Sequence, residues 1–112
     1  ARVLLDEVLL SAAARQYIID LVFATREPAA AGLANFAPLI LYGASPRASL
    51  SLAQASRAHA FLRGRAFVTP EDIKVVAPEV LRHRIMTTYE AEAEGVSVED
   101  ILSTVLDTVP VP

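Results

Sequence analysis

Tyr42-Gly43-Ala44-Ser45-Pro46-Arg47-Ala48-Ser49-Leu50 has the composition of a helix start. A serine oxygen suits the N-cap, where it accepts from open first-turn amides, and a proline suits the first helical position, where its missing N–H removes nothing. The pattern predicts a helix with Ser45 as N-cap and Pro46 as first residue, running to about Arg63 and stopping at Gly64. Gly43 lets the chain turn sharply into it. Arg47 then stands in the first turn, where the positive end of the helix dipole disfavours a cation by about 0.3–1 kcal/mol. An arriving anion reverses that penalty. Guanidinium, free amides and dipole would then direct positive potential at one place, which suits a phosphate. Taken alone, the same triplet also reads as a plain helix cap followed by a surface arginine, so its surroundings have to separate the two.

Downstream, Ala48, Leu52, Ala55, His59 and Leu62 fall in an arc of about 80° and form the expected core-facing stripe of this helix. Thr69-Pro70-Glu71-Asp72 opens another helix, with two acids in its first turn to complement the dipole. Ala77-Pro78 is expected to interrupt it, with a further segment from Glu79 to about Tyr89. Ser97-Val98-Glu99-Asp100 starts the last helix, which carries Ile101, Leu102, Val105 and Leu106 before Val109-Pro110-Val111-Pro112 ends it. Upstream, Ser11 is the N-cap of a helix from about Ala12 to Arg26 that stops before Pro28. Its Tyr17, Ile18, Ile19, Leu21, Val22 and Phe23 surround most of the circumference, which places it at the centre of the domain or against a partner. Residues 28–44 read as a long connection with a short apolar piece from Phe36 to Tyr42, of a length more often functional than idle. Residues 2–10 are ambiguous: Val3, Leu4, Leu5, Val8, Leu9 and Leu10 fit a short helix followed by an extended entry segment.

The chain has 112 residues, 54% of them hydrophobic, with no Trp and only four Phe and three Tyr. A core of Leu, Val, Ile and Ala in one domain of this size favours packed helices, so the expected fold is an all-α bundle of four to five helices centred on the first helix and the one bearing Arg47. The absence of Cys excludes disulfides, thiolate metal sites and cysteine nucleophiles. A net charge of −3 and the lack of an apolar run long enough for a bilayer argue against nucleic-acid binding and membrane insertion. No signal peptide is visible, and the start at Ala1 with an apolar opening reads as an excised piece of a larger protein.

Several segments in one order resemble the MoxR family of AAA+ ATPases. Gly43-Ala44-Ser45-Pro46-Arg47 is similar to the family's sensor-2 signature. Tyr17-Ile18 through Leu21-Val22, Ala24-Thr25-Arg26, Ala60-Phe61-Leu62-Arg63-Gly64-Arg65, Val68-Thr69-Pro70-Glu71-Asp72-Ile73 and Val80-Leu81-Arg82-His83-Arg84-Ile85 also match in register. Glu27 to Tyr42 has no matching pattern and reads as a family-variable insertion. The resemblance implies the C-terminal helical lid of such an ATPase. In that family a separate α/β domain holds ATP with Mg, while the lid contributes the sensor-2 arginine to the γ-phosphate and couples nucleotide state to lid movement. By position that arginine is Arg47, with Gly43, Ser45 and Pro46 shaping its approach. The implied partners are the chain's own N-terminal AAA+ ATPase domain, neighbouring subunits of a hexameric ring and a client protein that the machine remodels or matures in the cytoplasm. There is no G-x-x-x-x-G-K-[ST], and glycines at 32, 43, 64 and 95 cannot form one, so the lid alone is expected to hydrolyse nothing. The alternative is a free-standing helical interaction module without a nucleotide role, which a P-loop upstream in the parent reading frame would exclude.

The remaining polar residues read more plainly. His59 lies in the apolar stripe and is expected to be a core histidine satisfied by one hydrogen bond, because no second ligand stands at metal spacing. His83, between Arg82 and Arg84, is given a structural hydrogen-bonding role at a helix end. Arg57, Arg63, Arg65, Arg82 and Arg84 are expected to face the ATPase core or a neighbouring subunit, since acids outnumber bases and no recognition helix stands out. Glu90-Ala91-Glu92-Ala93-Glu94 is a solvated loop or helix end.

Overall fold

The computed structural model describes residues 7–112. Five α-helices run in chain order: α1 (Ala12–Arg26), α2 (Ala48–Leu62), α3 (Pro70–Leu81), α4 (Tyr89–Ala93) and α5 (Val98–Thr108). Two 3-10 turns, Ala34–Leu39 and Arg82–Arg84, and two short strands, β1 (Ile40–Tyr42) and β2 (Met86–Thr87), complete it. The all-α bundle anticipated from composition is what forms.

Most helix ends are set locally. Ser11 accepts from the Ala14 N–H at 3.0 Å. Thr69 with Asp72 and Ser97 with Asp100 each form a reciprocal capping box, so two otherwise orphaned amides are satisfied at each start. Gly64, at φ +75°, closes α2 in a left-handed cap. There the Arg65 N–H reaches the Ala60 carbonyl at 2.9 Å and the Gly64 N–H reaches Phe61 at 3.0 Å.

The core is built from Tyr17, Ile18 and Leu21 of α1, Leu52 of α2, Ile73 and Leu81 of α3, and Ile101, Leu102 and Val105 of α5. The most extensive helix pairing is α2 against α3, with α1 packed on α2 and α5. The centre is therefore the α2–α3 pair rather than α1 with α2. One side of α1 is buried as expected, but Ile19 and Phe23 remain 44% and 46% exposed, leaving an apolar strip that nothing among the described residues covers.

Three local expectations are corrected. The buried stripe of α2 is Ala48, Leu52, Ser56 and Ala60, while Leu62 is 82% exposed and Ala55 and His59 are half-buried. Hydropathy alone favours Leu62 over Ser56, yet the Ser56 hydroxyl donates to the Leu52 carbonyl at 2.7 Å, so its burial leaves no bond unmade. Second, α3 continues through Pro78 to Leu81. The proline removes one intrahelical bond, but Ile73, Ala77 and Leu81 lie on one buried face whose packing holds the helix together. Third, the 28–44 connection contains the first 3-10 turn and β1, which pairs antiparallel with β2 through Ile40–Thr87 and Tyr42–Met86. The extended entry segment expected at the end of residues 2–10 does form: the Leu9 N–H donates to Ala66 and the Leu9 carbonyl accepts from Val68, both at 2.9 Å. The short helix expected ahead of it, at residues 2–6, lies outside the described residues.

Candidate functional site

The segment from Gly43 to Arg47 leaves β1 and crosses the C-terminal end of α1 before entering α2. Gly43 has no positive φ. Its requirement is close approach: a Cβ there would lie 2.1 Å from the Thr25 carbonyl oxygen and 2.7 Å from the Arg26 Cα. Backbone contact with α1, rather than the sharp turn expected, is what requires a glycine here. Ala44 is fully buried behind it.

Ser45 and Pro46 do not cap and open α2. They form a tight turn just ahead of it. The Ala48 N–H donates to the Ser45 carbonyl at 2.8 Å, Ser49 to Pro46 at 3.1 Å and Leu50 to Arg47 at 3.0 Å. The N-cap of α2 is Arg47, with no side-chain cap bond, and the regular helix begins at Ala48. Backbone carbonyls have taken the place of the Ser45 hydroxyl, which is why its side chain stays exposed. These bonds also occupy three amides expected to be free for an anion, so the positive potential at this helix start comes from the dipole and the Arg47 guanidinium.

Arg47 is exposed and makes no side-chain hydrogen bond or ion pair among the described residues. Pro46 and Ser49, on either side of it in sequence, line a shallow groove together with Ile19, Val22, Phe23 and Arg26. A charged, unpaired arginine thus stands beside an uncovered apolar strip at the start of a helix.

Residues 34–105 match the AAA lid domain family. The chain belongs to that family. This lid is 45% identical over 96 residues to the chaperone MoxR1 of Mycobacterium tuberculosis, covering 86% of the lid and 26% of the relative. It is 42% identical over 108 residues to protein MoxR of Paracoccus denitrificans, covering 91% of the lid and 32% of the relative. A crystal structure of a Cytophaga hutchinsonii protein provisionally described as an ATPase superposes with a TM-score of 0.93 at 49% identity, over 96% of the lid and 33% of that chain. The lid therefore spans about a quarter to a third of the length of these proteins, and the two curated relatives are MoxR proteins, as the motif resemblance implied.

Three of the other basic residues are engaged within the lid. Arg65 pairs with Asp72 and Arg82 with Glu99, while Arg84 donates to the Ser51 hydroxyl at 3.2 Å. His83 is exposed in the 3-10 turn at the end of α3 and makes no side-chain hydrogen bond among the described residues, against the structural role expected of it. His59 does have the single partner expected of a core histidine, since Asp72 Oδ1 lies 2.6 Å from its Nδ1. The sequence reading missed the burial and bonding of two polar residues: Asp72, read there only as a first-turn acid, gathers His59, Arg65 and Thr69, and Thr25 binds Ala44. Asp72 carried one usable signal, its position three residues after a Thr N-cap. Thr25 carried none beyond its place in the Ala24-Thr25-Arg26 match.

No helix among the described residues is long and apolar enough to cross a membrane, and no cluster of three or more potential metal ligands occurs among them.

Proposed function

We propose that this lid supplies Arg47 as the sensor-2 arginine to the γ-phosphate of ATP held with Mg by an adjoining AAA+ domain of the same polypeptide. The carrying observation is the exposed, unpaired Arg47 at the start of α2. It fits one cationic contact to a phosphate. It does not fit a cradle, because the nearby amides of Ala48, Ser49 and Leu50 are already bonded, so the nucleotide and its metal rest on residues of the other domain. ATP hydrolysis would be the work of that domain. Gly43 and the Ser45-Pro46 turn set the direction from which Arg47 approaches.

An arginine so placed adds positive charge where the transferring phosphoryl group is most negative. Because the guanidinium belongs to the lid and the phosphates to another domain, the contact is made only in the closed arrangement. Losing the γ-phosphate removes the differential contact and frees the lid. The apolar strip of Ile19 and Phe23 beside Arg47 is placed to meet the adjoining domain in that closed state. In this reading the lid works in the cytoplasm, in a hexameric, chaperone-like ring whose neighbouring subunits and client protein feel the lid's movement.

The test is the full-length ATPase carrying Arg47→Ala. Nucleotide affinity should stay within a few-fold of wild type, measured by titration, while turnover falls by about 10²-fold, the usual loss for removing one transition-state charge contact. Unchanged turnover would remove Arg47 from the mechanism.

A further inference from the structure

The approach to Arg47 is held by α1. Thr25 is fully buried near the C-terminal end of that helix, and its hydroxyl does two things at once. It donates to the Val22 carbonyl at 2.7 Å, the usual back-bond of a helical threonine, and it accepts the Ala44 N–H at 3.0 Å. The neighbouring Arg26 donates to the Ala44 carbonyl at 3.4 Å. Both polar groups of Ala44 are therefore held by consecutive residues of α1, and Gly43 lies directly on the Thr25 carbonyl with no room for a Cβ. From Ala44 to Arg47 the chain is a tight turn closed by the Ser45–Ala48 bond. The orientation of the Arg47 backbone is thus set by α1 through three residues that have little freedom.

We infer that Thr25 is a positioning residue for Arg47: its buried hydroxyl, bridging α1 and Ala44, aims the arginine, and turnover by the parent ATPase depends on it. This rests on the proposed role of Arg47. A threonine that served stability alone would leave turnover by the folded enzyme unchanged. A positioning threonine acts only through the arginine, so the two substitutions must be non-additive.

The experiment is a double-mutant cycle in the full-length ATPase with Thr25→Val, Thr25→Ser, Arg47→Ala and the Thr25→Val/Arg47→Ala pair, each confirmed as folded by thermal melting. Thr25→Val keeps the shape and loses the hydroxyl. It should lower kcat by about tenfold with KM for ATP within about twofold, as expected when a reacting group is displaced rather than removed. Thr25→Ser keeps the hydroxyl and should recover most of that loss. In the Arg47→Ala background, Thr25→Val should slow turnover no further. If Thr25→Val does not accumulate in folded form, Thr25→Ala, which leaves space for a water at the Ala44 N–H, enters the same cycle. The inference is overturned if folded Thr25→Val turns over at the wild-type rate, if Thr25→Ser is as slow as Thr25→Val, or if the two losses multiply in the pair. Any of these leaves the role of Arg47 standing, whereas an unaffected Arg47→Ala enzyme removes that role and this inference together.

Discussion

Asp72 shows how one carboxylate can join two helices. Its side chain is fully buried and accepts from the Thr69 N–H at 2.7 Å, the Thr69 hydroxyl at 2.9 Å, His59 at 2.6 Å and Arg65. An ionised carboxylate only accepts, so the His59 ring carries its proton on Nδ1. Burial alone would raise the Asp72 pKa, but the Thr69 N–H, His59, the Thr69 hydroxyl and the Arg65 charge together outweigh it and hold the carboxyl below its usual range. The folded chain then binds this proton more weakly than the unfolded chain, whose aspartates titrate near about 3.9. The resulting stability is fully present above that pH and is lost as pH falls through the lower folded value. Asp72→Asn should lower stability at pH 7 by about 2–4 kcal/mol, because it leaves buried donors poorly paired. It should also lose less stability than wild type between pH 6 and pH 3. Urea unfolding at both pH values measures this, and parallel losses in the two proteins would show that Asp72 is not the group responsible.

Among the elements, two glycines serve opposite purposes at the two ends of one helical unit. Gly64 ends α2 at φ +75°, and a Cβ there meets nothing within 4 Å. Gly43 has an ordinary φ, but its Cβ would overlap the backbone of α1. Gly64→Ala should therefore cost only the left-handed backbone penalty of about 1–2 kcal/mol. Gly43→Ala should be the more destabilising of the two, because relieving the overlap means moving β1 away from α1 and breaking the Thr25–Ala44 bond. Denaturant midpoints of the two variants decide it, and a milder Gly43→Ala would mean that the contact between Gly43 and α1 is not a constraint.

For the whole molecule, the same distinction between buried and open faces separates two leucines two positions apart on α2. Leu52 is completely buried where α2 joins the core, whereas Leu50 is 71% exposed. Leu52→Ala should cost about 2–5 kcal/mol through lost burial and the cavity left behind, and Leu50→Ala should stay within about 0.5 kcal/mol in the isolated lid. Thermal or urea unfolding of the lid checks both, and a comparable loss at Leu50 would mean that its face is covered. Much of this architecture was legible beforehand. Ser11, Thr69 and Ser97 mark helix starts by side-chain chemistry that acts within three residues, and Gly64 marks an end in the same way. The α2 stripe was misplaced toward Leu62 because hydropathy does not reveal that Ser56 can satisfy itself against Leu52. Pro78 misled for a related reason: the local loss of one bond is visible in sequence, while the packing of Ile73, Ala77 and Leu81 that outweighs it is not.

By itself the sequence determined the helical class, both ends of α1 and of α5, the end of α2, the start of α3 and the lack of a phosphate-binding loop. Each of these follows from interactions between residues close in the chain or from the residue types present. Only the tertiary structure decided that α3 rather than α1 pairs most closely with α2, that β1 and β2 exist, that the amides of Ala48, Ser49 and Leu50 are already bonded, and that Thr25 and Asp72 are buried joints. Those depend on contacts between residues 13 to 47 positions apart, such as His59 with Asp72, Thr25 with Ala44 and Ile40 with Thr87. Local propensity carries no record of such contacts until the chain has folded.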